Sequence, residues 1–253
     1  MKPLSIIKSN PTFKKGMPSL PHIDVAEFFC DTIQGEGIYT GQPAAFLRVQ
    51  HCTMACTWCD TQEVWHYGNP YTMEEIFELM DQVDLPRKLS EGQHLVFTGG
   101  SPLKQQDRLI VFINEFIKVY GFKPFIEVEN ECAVIPLPAF VKRVDCWNNS
   151  PKLSNSGNLQ LIRYQPNILQ HMSSLSNSWF KFVISAQEDW NEIQKDFLDT
   201  GLLRKEQVIL MPLGGSRQEL EENREGVVEI AVNNNVRYST REHVVLWDIL
   251  TGV

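Results

Sequence analysis

Short apolar runs alternate along this chain with stretches whose apolar residues recur at helical spacing. Six runs rich in strand-forming residues predict strands, at 41–50, 94–100, 125–130, 141–149, 179–185 and 207–212. Strands that alternate with helices over a whole chain predict a parallel sheet with right-handed crossovers. About six parallel strands are too few for an eightfold barrel, so the pattern predicts an α/β fold with an open, partial β/α barrel and helices outside.

Local signals predict where several elements begin and end. Thr72 with Glu75, and Ser216 with Glu219, have the spacing of capping boxes at two helix starts. A helix between them carries apolar residues at helical spacing and closes at Gly121. Residues 23–50 read as a β-hairpin turning at the GEG sequence 35–37. The serine- and asparagine-rich stretch 150–172 predicts a loop followed by a helix.

Charge and composition narrow the classes of protein. With 253 residues and 43% hydrophobic content the chain can bury a full core. The formal net charge of −8 argues against binding to nucleic-acid phosphates. We find neither an apolar run near the ~20 residues of a membrane helix nor a signal peptide, and therefore expect no membrane partner and a cytoplasmic location. Residues 1–22, with Lys2, Lys8, Lys14 and Lys15, predict a mobile basic arm before a single domain at 23–253.

The candidate chemistry centres on the sequence HCTMACTWCDT at 51–61. It holds Cys52, Cys56 and Cys59 in a C-x3-C-x2-C spacing, which in a chain without secretion signals favours metal ligands over disulfides. A [4Fe–4S] cluster takes four ligands, so three cysteines leave one iron open, as in the radical S-adenosylmethionine (SAM) superfamily. The alternatives are a zinc site with His51 as fourth ligand or three unrelated buried thiols. The other three cysteines read as small buried hydrophobic residues.

Several further motifs stand in order along the chain. They are IQGEG at 33–37, FLRVQHC at 46–52, the WCDT extension to Thr61, TGG-x-P at 98–102, SPKL at 150–153, KFV at 181–183, MP at 211–212 and R-x-H at Arg241–His243. With the cysteine triplet, these motifs make the chain resemble the 7-carboxy-7-deazaguanine synthase family over roughly residues 24–250. The carboxyl ends of parallel strands form binding sites, and many of these motifs fall there.

The resemblance implies a radical SAM lyase of the queuosine and 7-deazaguanine pathway. Such an enzyme converts 6-carboxy-5,6,7,8-tetrahydropterin to 7-carboxy-7-deazaguanine with loss of ammonia. It uses a [4Fe–4S] cluster, SAM as a reusable cofactor and Mg²⁺, and a 5′-deoxyadenosyl radical takes hydrogen from C6 of the pterin. The protein then supplies orientation and exclusion of water rather than a catalytic side chain. A flavodoxin-type electron donor and a homodimer are implied as well.

The resemblance also assigns site residues. The implied cluster ligands are Cys52, Cys56 and Cys59, and the implied Mg²⁺ contact is Thr61, with Asp60 as its neighbour. The implied substrate contacts are Ile33, Gln34, Gly35, Glu36, Arg48, Thr98 and His243. The implied SAM contacts are Thr98, Gly99, Gly100, Ser101, Ser150 and Lys152, joined by Glu127 and Asn130 as ribose ligands from their position at a strand end.

One position departs from the family pattern. The usual GGEP has become GGSP, so Ser101 stands where an acidic residue would pair with the SAM ammonium, and we expect weaker SAM binding.

Two alternative functions remain open at this level. One is another radical SAM enzyme, such as a glycyl-radical activase, and the other is a diverged, non-catalytic iron–sulfur protein.

Overall fold

The computed structural model describes residues 3–8, 10 and 12–250. The remaining residues of the predicted arm, Lys2 among them, and 251–253 of the predicted domain lie outside this part. The strands are β1 (Leu4–Ile7), β2 (His22–Ile33), β3 (Pro43–Val49), β4 (Asn69–Thr72), β5 (His94–Gly99), β6 (Phe125–Asn130), β7 (Cys146–Asn149), β8 (Ser178–Ile184), β9 (Val208–Pro212) and β10 (Arg237–Tyr238). The helices are α1 (Met73–Gln82), α2 (Leu85–Ser90), α3 (Gln106–Tyr120), α4 (Pro138–Val141), α5 (Gln160–Arg163), α6 (Pro166–Ser174), α7 (Gln187–Ile193), α8 (Arg217–Asn233) and α9 (Glu242–Trp247).

The strands form one open sheet. Its order is β1-β2-β3-β5-β6-β7-β8-β9-β10, with β4 paired to the outer edge of β2. From β3 to β10 every neighbouring pair is parallel, whereas β2 pairs antiparallel with β3. The predicted hairpin and open parallel sheet are therefore confirmed, with β10 as a two-residue addition to the six predicted strands.

The core lies between the sheet and the helices on it. Phe97 of β5 meets Phe112 of α3 edge-on, with ring centroids 5.8 Å apart. Phe112 and Phe116 are fully buried, as the helical spacing of the apolar residues predicts. The helix ends at Gly121 in the left-handed conformation, with φ of 78°. In the described residues no helix has the length and apolar character needed to cross a membrane.

Two of the predictions about local structure need correction, whereas a third, the capping box at Thr72, is confirmed. The run 141–149 is not one strand, because Pro138 starts the short helix α4 and only Cys146–Asn149 pair in the sheet. The capping box at Thr72 is complete. At Ser216 only half of it forms, because the Glu219 carboxylate accepts from the backbone N–H of Gly215 instead of that of Ser216.

The arm also differs from the prediction of a mobile segment over 1–22. Leu4–Ile7 form β1, which pairs antiparallel with residues 28–30 of β2. Lys15 forms an ion pair with Glu75 near the start of α1, and its backbone N–H donates to Asn69 Oδ1 at 2.6 Å. Part of the arm is thus an added edge strand, which the lysine-rich composition did not indicate.

Candidate active site

A cavity of about 790 Å³ opens at the carboxyl ends of the parallel strands. Its size is within the range of pockets that hold a cofactor or a small substrate. The strand ends bring together residues far apart in sequence, because parallel strands all end at one edge. The predicted site residues that line it are Ile33, Gln34, Gly35, Glu36, Arg48, Cys52, Cys56, Cys59, Thr61, Thr98, Gly99, Gly100, Asn130, Ser150, Lys152 and His243.

The three cysteines of the loop after β3 are free thiols that face this cavity. The Cys56 sulfur accepts a hydrogen bond from Asn158 Nδ2 at 3.2 Å, and the Cys52 sulfur accepts one from the backbone N–H of Met54 at 3.3 Å. Burial raises the pKa of Cys52 to about 11, and a bound metal cation reverses such a shift by binding the thiolate. Hydrogen bonds to cluster sulfurs are a normal feature of iron–sulfur sites, so the loop suits a cluster.

A single metal ion would need a different arrangement. Among the described residues no three His, Cys, Asp or Glu side chains are placed to hold one ion. In a cubane cluster each cysteine binds its own iron, so the thiolates need not converge on one point. His51 is exposed and lies outside the residues that line the cavity, which places the fourth ligand of the zinc alternative away from the site.

The loop that carries the three cysteines, residues 51–61 and called the cluster loop below, packs closely against Gly100 just after β5. A Cβ added at Gly100 would lie 1.9 Å from the carbonyl oxygen of His51, so only glycine allows this contact. The backbone N–H of Gly100 donates to the Val49 carbonyl at 3.1 Å. The two glycines of TGG therefore set the distance between β5 and the start of the loop.

A second support of the loop comes from residues 155–158, which the sequence indicated only as part of a polar loop. The Ser156 carbonyl accepts from the backbone N–H of Thr57 at 3.1 Å. Asn158 Oδ1 accepts from the backbone N–H of Ala55 at 2.9 Å. Since Asn158 also donates to Cys56, it links the loop backbone to the Cys56 sulfur. Its sequence signal, an asparagine next to the left-handed Gly157, is too common to identify such a role.

Opposite the cysteines lies a network of charged side chains, of which Lys181 is buried and the others are partly exposed. Lys181 of β8 is the centre of it, since its Nζ lies 2.6 Å from Glu36 Oε2 and 2.5 Å from Glu129 Oε2. Arg241 joins from the chain's C-terminal segment, with its Nε 2.9 Å from Glu36 Oε1. Arg241 also pairs with Asp60 of the cluster loop. Asp60, the neighbour of Thr61, thus forms an ion pair that joins the cysteine loop to the C-terminal segment that carries Arg241.

The network shifts the pKa values of Glu36 and Glu129 in opposite directions. Burial alone would raise the pKa of Glu36, but Lys181 and Arg241 hold that pKa well below its usual range. Burial raises the pKa of Glu129, and the nearby Glu36 charge adds to that effect against the opposing attraction of Lys181. The two cations therefore hold Glu36 in its anionic form.

His243 packs directly against the QGEG turn. A Cβ at Gly35 would lie 2.2 Å from its Nδ1, which is a packing reason for glycine in this turn. Burial lowers the pKa of His243 to about 4, although Nε2 lies 3.9 Å from Glu36 Oε1. The imidazole is neutral at pH 7, so it can donate or accept a hydrogen bond but does not bring a charge.

Arg48 of β3 presents a cation at the other side of the cavity. Its Nε lies 3.0 Å from Glu27 Oε2, yet neither atom makes a hydrogen bond with good geometry among the described residues. The guanidinium lies over the Phe29 ring, 5.9 Å from the centroid. The partly paired planar group suits a carboxylate ligand, which it can bind through two parallel hydrogen bonds.

Two of the predicted site residues do not reach the cavity. Glu127 is fully buried beneath it, where it accepts from Asn148 Nδ2 at 2.7 Å and lies 2.7 Å from His94 Nδ1. Ser101 is also fully buried, and its hydroxyl donates to Glu131 Oε1 at 2.5 Å. The cavity is lined instead by Glu129 and Glu131. The period of two along a strand indicates that residues 127, 129 and 131 share a face, but it does not indicate which of them is buried below the cavity and which line it.

Comparisons with known proteins identify relatives of this chain and a solved structure of similar fold. A family model described as a 4Fe-4S single cluster domain matches residues 33–128. The 7-carboxy-7-deazaguanine synthase of Pyrobaculum aerophilum is 33% identical over 93% of this chain and 100% of its own length. The protein of the same name from Hyperthermus butylicus is 26% identical over 88% of this chain and 92% of its own. In fold, the chain is similar to the crystal structure of QueE from Escherichia coli, with a TM-score of 0.65, 20% identity, and coverage of 88% of this chain and 95% of that one.

Proposed function

This chain belongs to the 7-carboxy-7-deazaguanine synthase family, and we propose that the cavity at the strand ends is where it carries out the family's reaction. The protein is a radical SAM lyase that converts 6-carboxy-5,6,7,8-tetrahydropterin to 7-carboxy-7-deazaguanine with loss of ammonia. The observation that supports this site best is that the three free cysteines, Glu36 and Arg48 all line one cavity. A glycyl-radical activase has no need for the last two residues.

The [4Fe–4S] cluster and SAM, when bound, supply the radical that removes hydrogen from the pterin. We propose that Cys52, Cys56 and Cys59 hold the cluster. Ser150 and Lys152 lie near them, with Lys152 Nζ 2.8 Å from Ser150 Oγ and 5.3 Å from the Trp58 ring centroid. A lysine held in this way suits the methionyl carboxylate of SAM, and we propose Thr98, Gly99 and Gly100, which line the same cavity, as further SAM contacts through their backbone groups.

The pterin has two recognisable ends. Its guanidine-like N–H edge suits the anionic Glu36, because a carboxylate has acceptor sites to spare beyond those that Lys181 and Arg241 occupy. Its carboxylate suits Arg48. We propose Gln34, Gly35, Ile33 and Thr98 as further contacts, with neutral His243 as a hydrogen-bonding group. Holding the substrate between two fixed charges is the orienting task that a radical reaction requires.

We also propose an Mg²⁺ contact at Thr61, whose Oγ1 lies 3.8 Å from the Cys59 sulfur. Mg²⁺ keeps most of its water, so a single hydroxyl is enough if the substrate supplies further oxygen. A homodimer, a flavodoxin-type electron donor, a cytoplasmic location and a single domain over 23–253 are proposed from family membership and the sequence. Light scattering of the purified protein tests the dimer directly.

The deciding experiment is an anaerobic turnover assay on the reconstituted protein with SAM, Mg²⁺, dithionite and the pterin. We expect 7-carboxy-7-deazaguanine in excess of the SAM consumed, measured together with 5′-deoxyadenosine by mass spectrometry. Formation of 5′-deoxyadenosine without the deazaguanine would show that the substrate is wrong.

A pair of variants tests the substrate end. Arg48→Lys keeps the charge but loses the planar fork, so we expect kcat/KM for the pterin to fall by about 10- to 100-fold. SAM affinity should stay unchanged. Arg108→Lys is the matched control, because Arg108 is 39% exposed and pairs with Asp24, with Nη1 2.6 Å from Oδ2. This variant should leave both quantities unchanged.

A further inference from the structure

A carboxylate with an open oxygen lies beside the cluster loop. Glu131 follows directly after β6, is only 7% exposed and lines the cavity. Its Oε1 accepts two short hydrogen bonds, from Ser101 Oγ at 2.5 Å and from Thr53 Oγ1 at 2.6 Å. Its Oε2 is buried and has no hydrogen-bond partner in the part of the chain that the structure describes. One oxygen is thus fixed while the other is left for a ligand.

An unpartnered buried acceptor costs free energy, and most of all when it belongs to a carboxylate. Two hydroxyl donors compensate Glu131 Oε1, whereas Oε2 has no donor among the described residues. A cationic ligand group in the cavity would remove that cost. The position of Thr53 between Cys52 and Met54 also places this carboxylate next to the cluster ligands.

Ser101 takes on a different meaning in this arrangement. It is fully buried and is not among the residues that line the cavity, so it cannot replace an acidic ligand by its own hydroxyl. It donates to Glu131 instead. The serine of GGSP therefore orients a carboxylate that comes from the neighbouring strand.

We propose that Glu131 pairs with the ammonium of the methionyl group of SAM, with Ser101 and Thr53 as its positioning residues. The carboxylate that GGEP would carry after β5 is thus supplied after β6. The open iron of the cluster would hold this ammonium, and Glu131 contacts Thr53 of the cysteine loop that would hold the cluster. This inference rests on the proposed use of SAM, and it replaces the expectation that the Ser101 departure weakens SAM binding.

The test measures ligand affinity rather than turnover. Isothermal titration calorimetry on the anaerobically reconstituted protein compares SAM with 5′-methylthioadenosine, which keeps the adenosine and sulfur but lacks the amino-acid group. For Glu131→Gln we expect at least a tenfold weaker Kd for SAM and a Kd for 5′-methylthioadenosine within twofold of the wild-type value. Iron content and the visible absorption of the cluster must match the wild-type protein.

A second pair of variants tests the positioning role. Ser101→Ala should weaken SAM about two- to fivefold, because Thr53 still holds Glu131. The double variant Ser101→Glu with Glu131→Ser returns the carboxylate to the loop after β5, and we expect SAM affinity within about threefold of the wild type. A purely structural role of Glu131 would not be rescued in this way.

Two results would overturn the proposal. One is an unchanged SAM affinity in Glu131→Gln, and the other is an equal loss of affinity for SAM and 5′-methylthioadenosine. Failure of the proposed function looks different, since the wild-type protein would then bind no SAM or assemble no cluster. If SAM binds as expected but no deazaguanine forms, only the substrate assignment fails and the test of Glu131 stands.

Discussion

Replacing Lys181 by methionine tests whether the buried charges hold this end of the sheet together. The ammonium is 4% exposed and lies within 2.6 Å of both Glu36 and Glu129. Removing one member of a buried ion pair leaves uncompensated charge and costs about 3–5 kcal/mol. Arg241 still pairs with Glu36, so we expect a loss at the lower end, about 3 kcal/mol. That is roughly a 100-fold shift in the unfolding equilibrium.

The loss should depend on pH in a definite direction. Without Lys181, the two neighbouring carboxylates repel each other, and their pKa values in the folded state rise above those in the unfolded chain. Groups of this kind destabilise the fold as the pH rises through the folded-state pKa and have little effect below the unfolded-state pKa, about 4.3 for Glu. The difference in free energy of unfolding between Lys181→Met and the wild type should therefore be largest at pH 8 and shrink toward pH 5.

Urea unfolding of the metal-free, full-length chain, followed by tryptophan fluorescence at several pH values, measures this difference. Lys118→Met is the matched control, because Lys118 is 75% exposed and pairs with Glu115 of its own helix. We expect it to cost less than about 1 kcal/mol. Adding Glu129→Gln to Lys181→Met should recover at least half of the loss. A loss below 1 kcal/mol, or one equal at pH 5 and pH 8, would refute the role of the charge network.

Three further predictions follow from the site. Gly100→Ala should reduce the iron bound on reconstitution by more than half, since its Cβ would meet the His51 carbonyl at 1.9 Å. Gly226→Ala has open space around it and should keep the iron and gain up to about 1 kcal/mol in stability; equal iron in both variants would contradict the close contact. Cys52→Ala should abolish the visible absorption of the cluster, whereas Cys30→Ala, at a buried thiol of β2, should retain it. Because the pKa of His243 is lowered to about 4, the unfolded chain binds a proton there first as the pH falls from about 6.5. The wild type should lose up to about 3 kcal/mol of its free energy of unfolding as the pH falls from about 6.5 to about 4. In urea titrations, His243→Gln should show a shallower decline over the same pH range. Parallel curves for the two proteins would rule out the buried neutral imidazole.

Much of this site could be predicted from the sequence because its signals are local. The spacing of the three cysteines is a property of eight consecutive residues. The QGEG turn and the TGG ending of β5 depend on glycines whose neighbours leave no room for a Cβ. The complete capping box at Thr72 needs only four residues. The cysteine spacing and the capping box act between residues that are close in the chain, whereas the glycines are short sequence signals whose missing space is taken up by distant residues, His243 beside Gly35 and His51 beside Gly100.

The tertiary structure decided how deeply each side chain is buried and which residues it contacts. Glu127 and Glu129 alternate along β6 and Glu131 follows its end at the same spacing, but Glu127 is buried beneath the cavity by contacts with His94 and Asn148, which come from other strands. The short strand at Cys146–Asn149 likewise begins only where the sheet offers a partner.

Ser101 is the clearest case of the difference. From the sequence alone, a serine in place of an acid predicts a weaker ligand site. In the fold, the same serine donates to Glu131 across two neighbouring strands. The chain determines which side chains are present at each strand end, and only the pairing of β5 with β6 brings the hydroxyl and the carboxylate within hydrogen-bonding distance.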